Sequence, residues 1–218
     1  DEKISEIRKM IHSHLQRSFE LQEGVSVSNA IAVPDVNRIS GLVGLVKFDD
    51  YIKGEKGKFY IDGDKRIITS KEPVLVPAQV KTGGRITGEY DEVLLIDRGI
   101  FETYDAFSSG AWINTSKRNS EKTQTIIGNT GNKNNFWRGW DFVLDSLNRL
   151  TVRLIHSLPH NYIQVTTVDS VHVNQGTHVF FTYDGSMSAE GIKIYLNGNK
   201  TPTFTEFDQL YKSIKPIN

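Results

Sequence analysis

A loop rich in amide and aromatic side chains is the best candidate for a binding site. It covers residues 129–138, and a second polar group follows at residues 156–162. Flat aromatic rings stack on the C–H faces of sugars, whereas amide, imidazole and guanidinium groups form hydrogen bonds with hydroxyls. A sugar site needs both chemistries within a few ångströms. The candidate ligand-binding residues are Asn132, Asn135, Trp137, Arg138, His156, His160, Asn161 and Tyr162.

Two tryptophans in and just after this loop are expected to differ in environment. Trp137 and Trp140 are three positions apart at the entrance to a predicted strand. Because side chains alternate between the two faces of a strand, one ring should enter the core and the other should face solvent. An exposed ring favours ligand contact, and the alternative is an ordinary polar loop beside a buried tryptophan.

The histidines do not have the spacing of a transition-metal site. His156 and His160 are separated by residues 157–159, where Pro159 predicts a bend, so they are not a helical i,i+4 pair. His172 and His178 flank a predicted turn and could face each other across a hairpin. No acidic residue lies at ligand spacing, so these histidines are interpreted as strand-end residues with backbone hydrogen bonds.

Calcium is the one cofactor that the sequence leaves open. This ion prefers oxygen ligands, and the carboxylate clusters are Asp184, Asp49 with Asp50, and Asp62 with Asp64. Aspartate more often caps a turn by accepting a hydrogen bond from its own backbone. We therefore expect no cofactor, with calcium as the alternative.

The composition favours one large β domain, alone or with an appendage. The chain has 218 residues, of which 38% are hydrophobic and 10% aromatic, enough for a substantial core. Lysine plus arginine and aspartate plus glutamate both number 26, so the basic excess of a nucleic-acid-binding protein is missing. No apolar run approaches the roughly 20 residues of a membrane span. The absence of cysteine excludes disulfides.

The hydrophobic periodicity predicts a short N-terminal helix followed by strands. Apolar residues recur every three or four positions from Ile4 to Phe19, and Gly24 is a plausible stop, so residues 1–24 are predicted to be helical. Residues 25–218 are predicted to form one β-sandwich. The predicted strands are 42–48, 58–61, 66–69, 92–97, 109–114, 123–128, 140–145, 150–156, 161–168, 177–183 and 191–197.

Five motifs, in order along the chain, resemble the strands of a known superfamily. They are Phe107–Ile113, Thr125–Gly128, Trp140–Leu144 with Leu150–Leu154, Gly176–Gly185 and Lys193–Gly198. Together they resemble the concanavalin A-like lectin/glucanase superfamily, and within it the laminin-G-like branch. The resemblance implies an all-β fold, a jelly-roll sandwich of two antiparallel sheets. The chain departs from the branch at Gln175-Gly176, where a core tryptophan is usual, so other side chains must fill that volume.

A closer similarity covers residues 138–144, 153–163 and 209–216. These segments resemble the laminin-G-like domain of planctomycete-type cytochrome proteins, which are exported proteins of Planctomycetes and Bacteroidetes. The resemblance implies a periplasmic or cell-surface location and a non-catalytic module whose partners include flanking domains of the same polypeptide. The chain begins at Asp1 with no signal peptide, and we expect it to be an internal part of a longer protein. In the family, closing strands begin near residue 216, so either the sandwich is cut short or residues 25–48 supply its missing edge.

The resemblance also sets a test for catalysis. Glucanases of the superfamily carry their acid and nucleophile on one strand in the pattern Glu-x-Asp-x-Glu, with the two carboxyl groups about 5–5.5 Å apart. The nearest approach is Glu89-Tyr90-Asp91-Glu92, which lacks the third carboxylate and lies at a strand entrance. The sequence therefore predicts a non-catalytic module that recognises a glycan, or a structural module that docks on flanking domains. A glycoside hydrolase is the third alternative.

Overall fold

The computed structural model describes residues 40–46, 48, 67–69, 74–79, 82–86, 93–95, 98–116 and 122–216. The chain divides into two compact units, residues 1–99 and residues 100–218, and each is described by itself. The predicted helix at residues 1–24 and the predicted strand at 58–61 lie outside the described residues.

The described part of the first unit contains two small antiparallel sheets. Strand β1 (Ile67–Thr69) pairs with β4 (Val93–Leu95), and β2 (Val74–Pro77) pairs with β3 (Thr82–Arg85). Two of the predicted strands are therefore present, as β1 and β4, and they are partners in the same sheet.

The strand predicted at residues 42–48 is not found where the chain is described. Residues 42–46 have no regular secondary structure, and the side chain of Val43 is 47% exposed. This prediction was wrong because a short apolar run alone does not specify a strand; it needs a partner strand and a core to cover it.

The second unit is a sandwich of two antiparallel sheets. The four-stranded sheet has the order β12 (Asn199–Lys200), β11 (Ile192–Leu196), β10 (Thr177–Tyr183) and β5 (Phe107–Ile113). The five-stranded sheet has the order β13 (Thr203–Gln209), β9 (Asn161–Ser170), β8 (Arg149–Ser157), β7 (Gly139–Leu144) and β6 (Gln124–Thr130). Neighbouring strands are antiparallel throughout, as a jelly-roll sandwich requires.

Side chains from both sheets form one hydrophobic core. In β10 every second residue from Thr177 to Tyr183 is buried, which is the alternation of a strand with one face on a core. The ring centroid of Phe181 lies 5.7 Å from that of Phe107 in the same sheet and 5.2 Å from that of Phe142 in the opposite sheet. The predicted packing of two β layers face to face is therefore confirmed.

The strands predicted between residues 109 and 197 are all present as β5 to β11. The sequence did not predict β12 or β13. In the described part of the chain the five-stranded sheet ends at β13, so residues 203–209 form the edge beside β9.

Candidate functional site

Three segments meet at one end of the sandwich. They are the loop of residues 131–138 between β6 and β7, which we call the aromatic loop, the turn of residues 157–161 between β8 and β9, and the C-terminal segment of residues 210–216. The carbonyl oxygen of Phe136 accepts a hydrogen bond from the backbone N–H of Leu158 at 3.2 Å. The turn is therefore joined directly to the aromatic loop.

The aromatic loop is held by its own hydrogen bonds. The Asn132 side chain caps a short 3-10 helix (Lys133–Asn135) by accepting from the backbone N–H of Asn134 at 2.8 Å. The carbonyl of Asn132 also accepts from the N–H of Trp137 at 3.0 Å. At the base of the loop, the N–H of Gly131 donates to the carbonyl of Arg138 at 2.8 Å. These bonds fix the path of the chain between the two strands.

Phe136 and Trp137 have an unusual backbone and exposed rings. Their φ angles are 57° and 60°, in the left-handed region that bulky residues rarely adopt. Their side chains are 58% and 48% exposed, whereas Trp140 is only 4% exposed and lies in the core. The prediction that the two tryptophans differ in environment is confirmed. Each left-handed residue costs about 1–3 kcal/mol, and the hydrogen bonds of the loop hold both in place.

Gly131 provides space within the loop. The side-chain amide of Asn135 occupies the volume that a Cβ atom on residue 131 would need, so a larger residue at 131 would displace this amide. Asn132 and Asn135, two of the predicted site residues, shape the loop from within.

Arg138 and His156 connect the aromatic loop to the C-terminal segment. The Nε of Arg138 donates to the carbonyl of His156, and its Nη2 lies near the His156 Nε2, both at 3.2 Å. The Nδ1 of His156 lies 2.7 Å from the carbonyl oxygen of Ser213. Because guanidinium only donates and a carbonyl only accepts, these partners assign the proton of the neutral imidazole to Nδ1. Both residues are brought together as predicted, but their polar groups are used within the protein.

The remaining predicted residues are not all directed to one place. His160 is exposed on the turn, where its N–H donates to Ser157 at 3.1 Å. Asn161 is 3% exposed, and its Oδ1 accepts from the N–H of Tyr211 at 3.3 Å. The ring of Tyr162 is stacked on Phe207 across the adjacent strands, with centroids 4.1 Å apart and planes inclined by 8°. Tyr162 is therefore occupied by a neighbour in its own sheet.

Two buried polar atoms at this end of the sandwich have no hydrogen-bond partner within the described residues. They are the Oδ1 of Asn135 and the Nδ2 of Asn161. Buried polar groups in proteins are nearly always paired, so a buried amide atom without a hydrogen bond requires a physical reason. Both atoms belong to residues that the sequence predicted for the site.

Sequence reasoning missed two exposed aromatic residues near the site. Phe136 precedes Trp137, and strand alternation would have placed one of the two rings in the core; the left-handed backbone exposes both. Tyr211 in the C-terminal segment is 66% exposed, and its backbone N–H donates to the side-chain Oδ1 of Asn161. The signal for Phe136 was its position beside Trp137 in an asparagine-rich loop, whereas nothing local identified Tyr211.

The metal candidates have ordinary structural roles where they are described. The ring of His178 packs against Trp112, with centroids 5.3 Å apart, while His172 is exposed. Asp184 accepts a hydrogen bond from the N–H of Ser186 at 2.9 Å, and hydrogen bonding with Ser186 is the main cause of its lowered pKa. Among the described residues there is no group of three or more His, Asp or Glu that could hold a metal. The pairs Asp49 with Asp50 and Asp62 with Asp64 lie outside them.

The carboxylates on the outer face of the five-stranded sheet, which points away from the core, are engaged by neighbours. Asp141 on β7 forms a bidentate ion pair with Arg153 on β8, with Nε to Oδ1 at 2.9 Å. The hydrogen bond with Asp141 is the main cause of the raised pKa of Arg153. Glu206 on β13 accepts from the hydroxyl of Thr166 at 2.6 Å.

The strands that carry these two carboxylates are not neighbours in the sheet. Strands β7 and β13 are separated by β8 and β9, which places their backbones about 14 Å apart at roughly 4.8 Å per strand. Glycosidases hold their two carboxyl groups about 5–9.5 Å apart, depending on mechanism. The catalytic motif considered in the sequence, Glu89 to Glu92, lies outside the described residues.

The fold agrees with a comparison of the chain with known families. The model of the concanavalin A-like lectin/glucanases superfamily matches residues 87–216, more than half of the chain. The chain therefore belongs to this superfamily. No curated protein matches it. Since the superfamily contains both sugar-binding proteins and glycosidases, membership defines the architecture and leaves the function to the site.

The search for a membrane-spanning segment gives a negative result for the described residues. No helix among them is long and apolar enough to cross a membrane.

Proposed function

We propose that this chain is a non-catalytic recognition module that binds a carbohydrate at the aromatic loop. The observation that carries the proposal is the pair Phe136 and Trp137, which have left-handed backbones and rings 58% and 48% exposed. Strained backbone of this kind persists only where the surrounding structure holds it, and it concentrates at functional sites. Exposing two large rings side by side is also unfavourable unless a partner covers them.

The surroundings of the two rings supply the polar half of a sugar site. The side chain of Asn134 is exposed beside them, and Asn135 has an unused buried acceptor. Amides donate to and accept from hydroxyls, while the rings offer flat apolar faces for sugar C–H groups. Because the loop is already ordered by its own hydrogen bonds, binding would immobilise few side chains, each of which otherwise costs about 0.5–1.5 kcal/mol.

Replacement of Trp137 tests the proposal directly. A glycan array identifies a ligand for the parent protein, and calorimetry then measures its affinity for Trp137→Ala and Phe136→Ala. Loss of a central aromatic contact should weaken binding at least about tenfold. The matched control is Phe204→Ala, which removes a ring 38% exposed on β13. A parent protein that binds no glycan, or a Trp137→Ala variant that binds as well as the parent, contradicts the proposal.

A second candidate is a structural module that docks on flanking domains of the same polypeptide. Exposed apolar side chains away from the aromatic loop favour it: Leu147, Val168 and Phe204 are 48%, 53% and 38% exposed. Val168 lies near the end of β9 opposite Asn161. If this function is the correct one, a separately produced flanking domain binds the chain, and Val168→Asp abolishes the complex.

We also infer that the chain works outside the cytoplasm as part of an exported bacterial protein. The support is the resemblance of residues 138–144, 153–163 and 209–216 to the laminin-G-like domain of planctomycete-type cytochrome proteins. Fractionation of cells that make the native protein should find it in the periplasm or at the cell surface. Recovery in the cytoplasmic fraction alone would overturn this inference.

A further inference from the structure

Positive charge is concentrated in the three segments that meet at the candidate site. Residues 131–138, 157–161 and 210–216 contain no aspartate or glutamate, although the whole chain has 26 acidic and 26 basic residues. Their cationic residues are Lys133, Arg138, Lys212 and Lys215. A neutral protein therefore carries a local excess of positive charge beside its exposed aromatic pair.

The hydrogen bonds at this end bring the charged segments together. Arg138 joins the aromatic loop to His156, and His156 joins the C-terminal segment at Ser213. Lys133, Lys212 and Lys215 are exposed, so their ammonium groups are available to a ligand.

Two carboxylates lie next to this group of cations. Glu102 accepts a hydrogen bond from the hydroxyl of Ser213 at 2.7 Å. The carboxylate of Asp105 accepts a hydrogen bond from the backbone N–H of Glu102 at 2.8 Å. Both carboxylates are half-buried and together balance two of the four positive charges, so the three segments remain net positive.

We propose that the carbohydrate bound at the aromatic loop is an acidic polysaccharide, one that carries carboxylate or sulfate groups. This inference rests on the proposed function, since the rings of Phe136 and Trp137 supply the contact with the sugar ring. The lysines of the aromatic loop and C-terminal segment supply attraction for the anionic groups. Because these cations are exposed, their contribution decreases with salt, over a screening length of about 8–10 Å at physiological ionic strength.

Affinity electrophoresis with three defined polymers tests the proposal. Dextran is the neutral polymer, dextran sulfate carries sulfates on the same backbone, and polygalacturonate carries carboxylates. The variant Lys133→Gln with Lys212→Gln should bind the preferred acidic polymer about fivefold more weakly, as loss of two exposed charge contacts implies. Lys200→Gln, on β12 of the other sheet, is the matched control and should bind like the parent.

The outcomes separate this inference from the proposed function. Binding to an acidic polymer supports both the inference and the proposed function if its affinity is lowered by added salt, by Trp137→Ala and by the double lysine variant. Preference for sulfate or for carboxylate then identifies the anionic group. Binding of dextran or another neutral glycan as tightly as the acidic polymers overturns the inference and leaves the proposed function intact. If Lys200→Gln weakens binding of the acidic polymer as much as the double variant does, the attraction is general to the surface charge, and this result also overturns the inference. If no polymer and no arrayed glycan binds, the proposed function falls as well.

Discussion

Tyr183 joins two connecting segments to the edge of the core through a single hydroxyl. That hydroxyl donates to the carbonyl of Thr103 at 2.5 Å and accepts from the N–H of Met187 at 2.8 Å. The residue is 2% exposed, and burial is the main cause of its raised pKa. The folded protein therefore favours the neutral phenol.

The raised pKa of Tyr183 predicts a loss of stability in alkaline solution. The neutral phenol contributes fully to the free energy of unfolding below the pKa of an unfolded tyrosine, about 10. This contribution is lost as the pH rises through the higher pKa of Tyr183 in the folded protein. Tyr183→Phe should lower the free energy of unfolding by about 1–3 kcal/mol at neutral pH, because it leaves buried polar groups unpaired. It should also make the decline above about pH 10 shallower. Urea denaturation at several pH values measures both effects.

The control for this experiment is Tyr211→Phe, since Tyr211 is 66% exposed. This variant should keep the stability and the alkaline decline of the parent. A Tyr183→Phe protein that loses stability above pH 10 as steeply as the parent would show that another group causes the decline.

At single positions of the candidate site, the sequence predicted environment better than role. The sequence correctly separated Trp137 from Trp140, although the reason is not alternation: Trp140 lies in β7, and Trp137 lies in the aromatic loop with a left-handed backbone. It gave no sign that His156 would bind Ser213, a residue 57 positions later in the chain. Such a contact depends on how the C-terminal segment packs, which local pattern does not encode.

Among the elements, the strands rich in apolar residues could be predicted, and the edge strand β13 could not. Strands β7 to β10 combine apolar residues with clear turn residues at their ends. Strand β13 has Glu206 and Asp208 in it, and its register with β9 shifts between Thr205 and Phe207. A bulge and charges are usual on edge strands, where they discourage pairing with other chains, and they also remove the alternation that prediction relies on.

The C-terminal segment is the element that ties the site to the core. Ile214 is fully buried in the hydrophobic core, and Leu210 is 5% exposed. Between them lie Tyr211 and Lys212, which are exposed, and Ser213, which binds His156. Two apolar anchors therefore hold a short polar stretch against the end of the sandwich.

Ile214→Ala should release this segment as well as destabilise the fold. Removal of a fully buried isoleucine side chain costs about 2–5 kcal/mol through lost burial and the cavity that remains. Trypsin should then cleave after Lys212 faster than in the parent, because local opening of the segment becomes easier. Mass spectrometry of timed digests measures the rates, with Val168→Ala, at a position 53% exposed, as control. Equal cleavage rates in Ile214→Ala and parent would show that the segment is not held by this anchor.

At the level of the whole molecule, the sandwich is contained in the second unit. Among the described residues, the nine strands of the sandwich and the buried residues of its hydrophobic core fall within residues 100–218. The sequence predicted one sandwich over residues 25–218 after a helix at 1–24, and that boundary stays a prediction because it lies outside the described residues. A domain boundary leaves little local signal when both sides are rich in strands.

Residues 100–218 should fold without the first unit. A chain with its own core and short connections is expected to unfold in one cooperative step. Produced alone, it should show a β-type circular dichroism spectrum and a single urea transition, with the full chain measured alongside. If residues 100–218 are unfolded while the full chain is folded, the first unit is needed to complete the sandwich.

The hydrogen bond between Gly131 and Arg138 has a consequence for how such proteins diversify. It joins the two ends of the aromatic loop, directly beyond the paired residues Thr130 and Gly139 of β6 and β7. Because the ends stay fixed, substitutions and length changes at the tip need not move the strands beneath. Related sandwiches can therefore acquire new recognition properties by exchanging one short peptide, while selection on folding acts mainly on residues elsewhere.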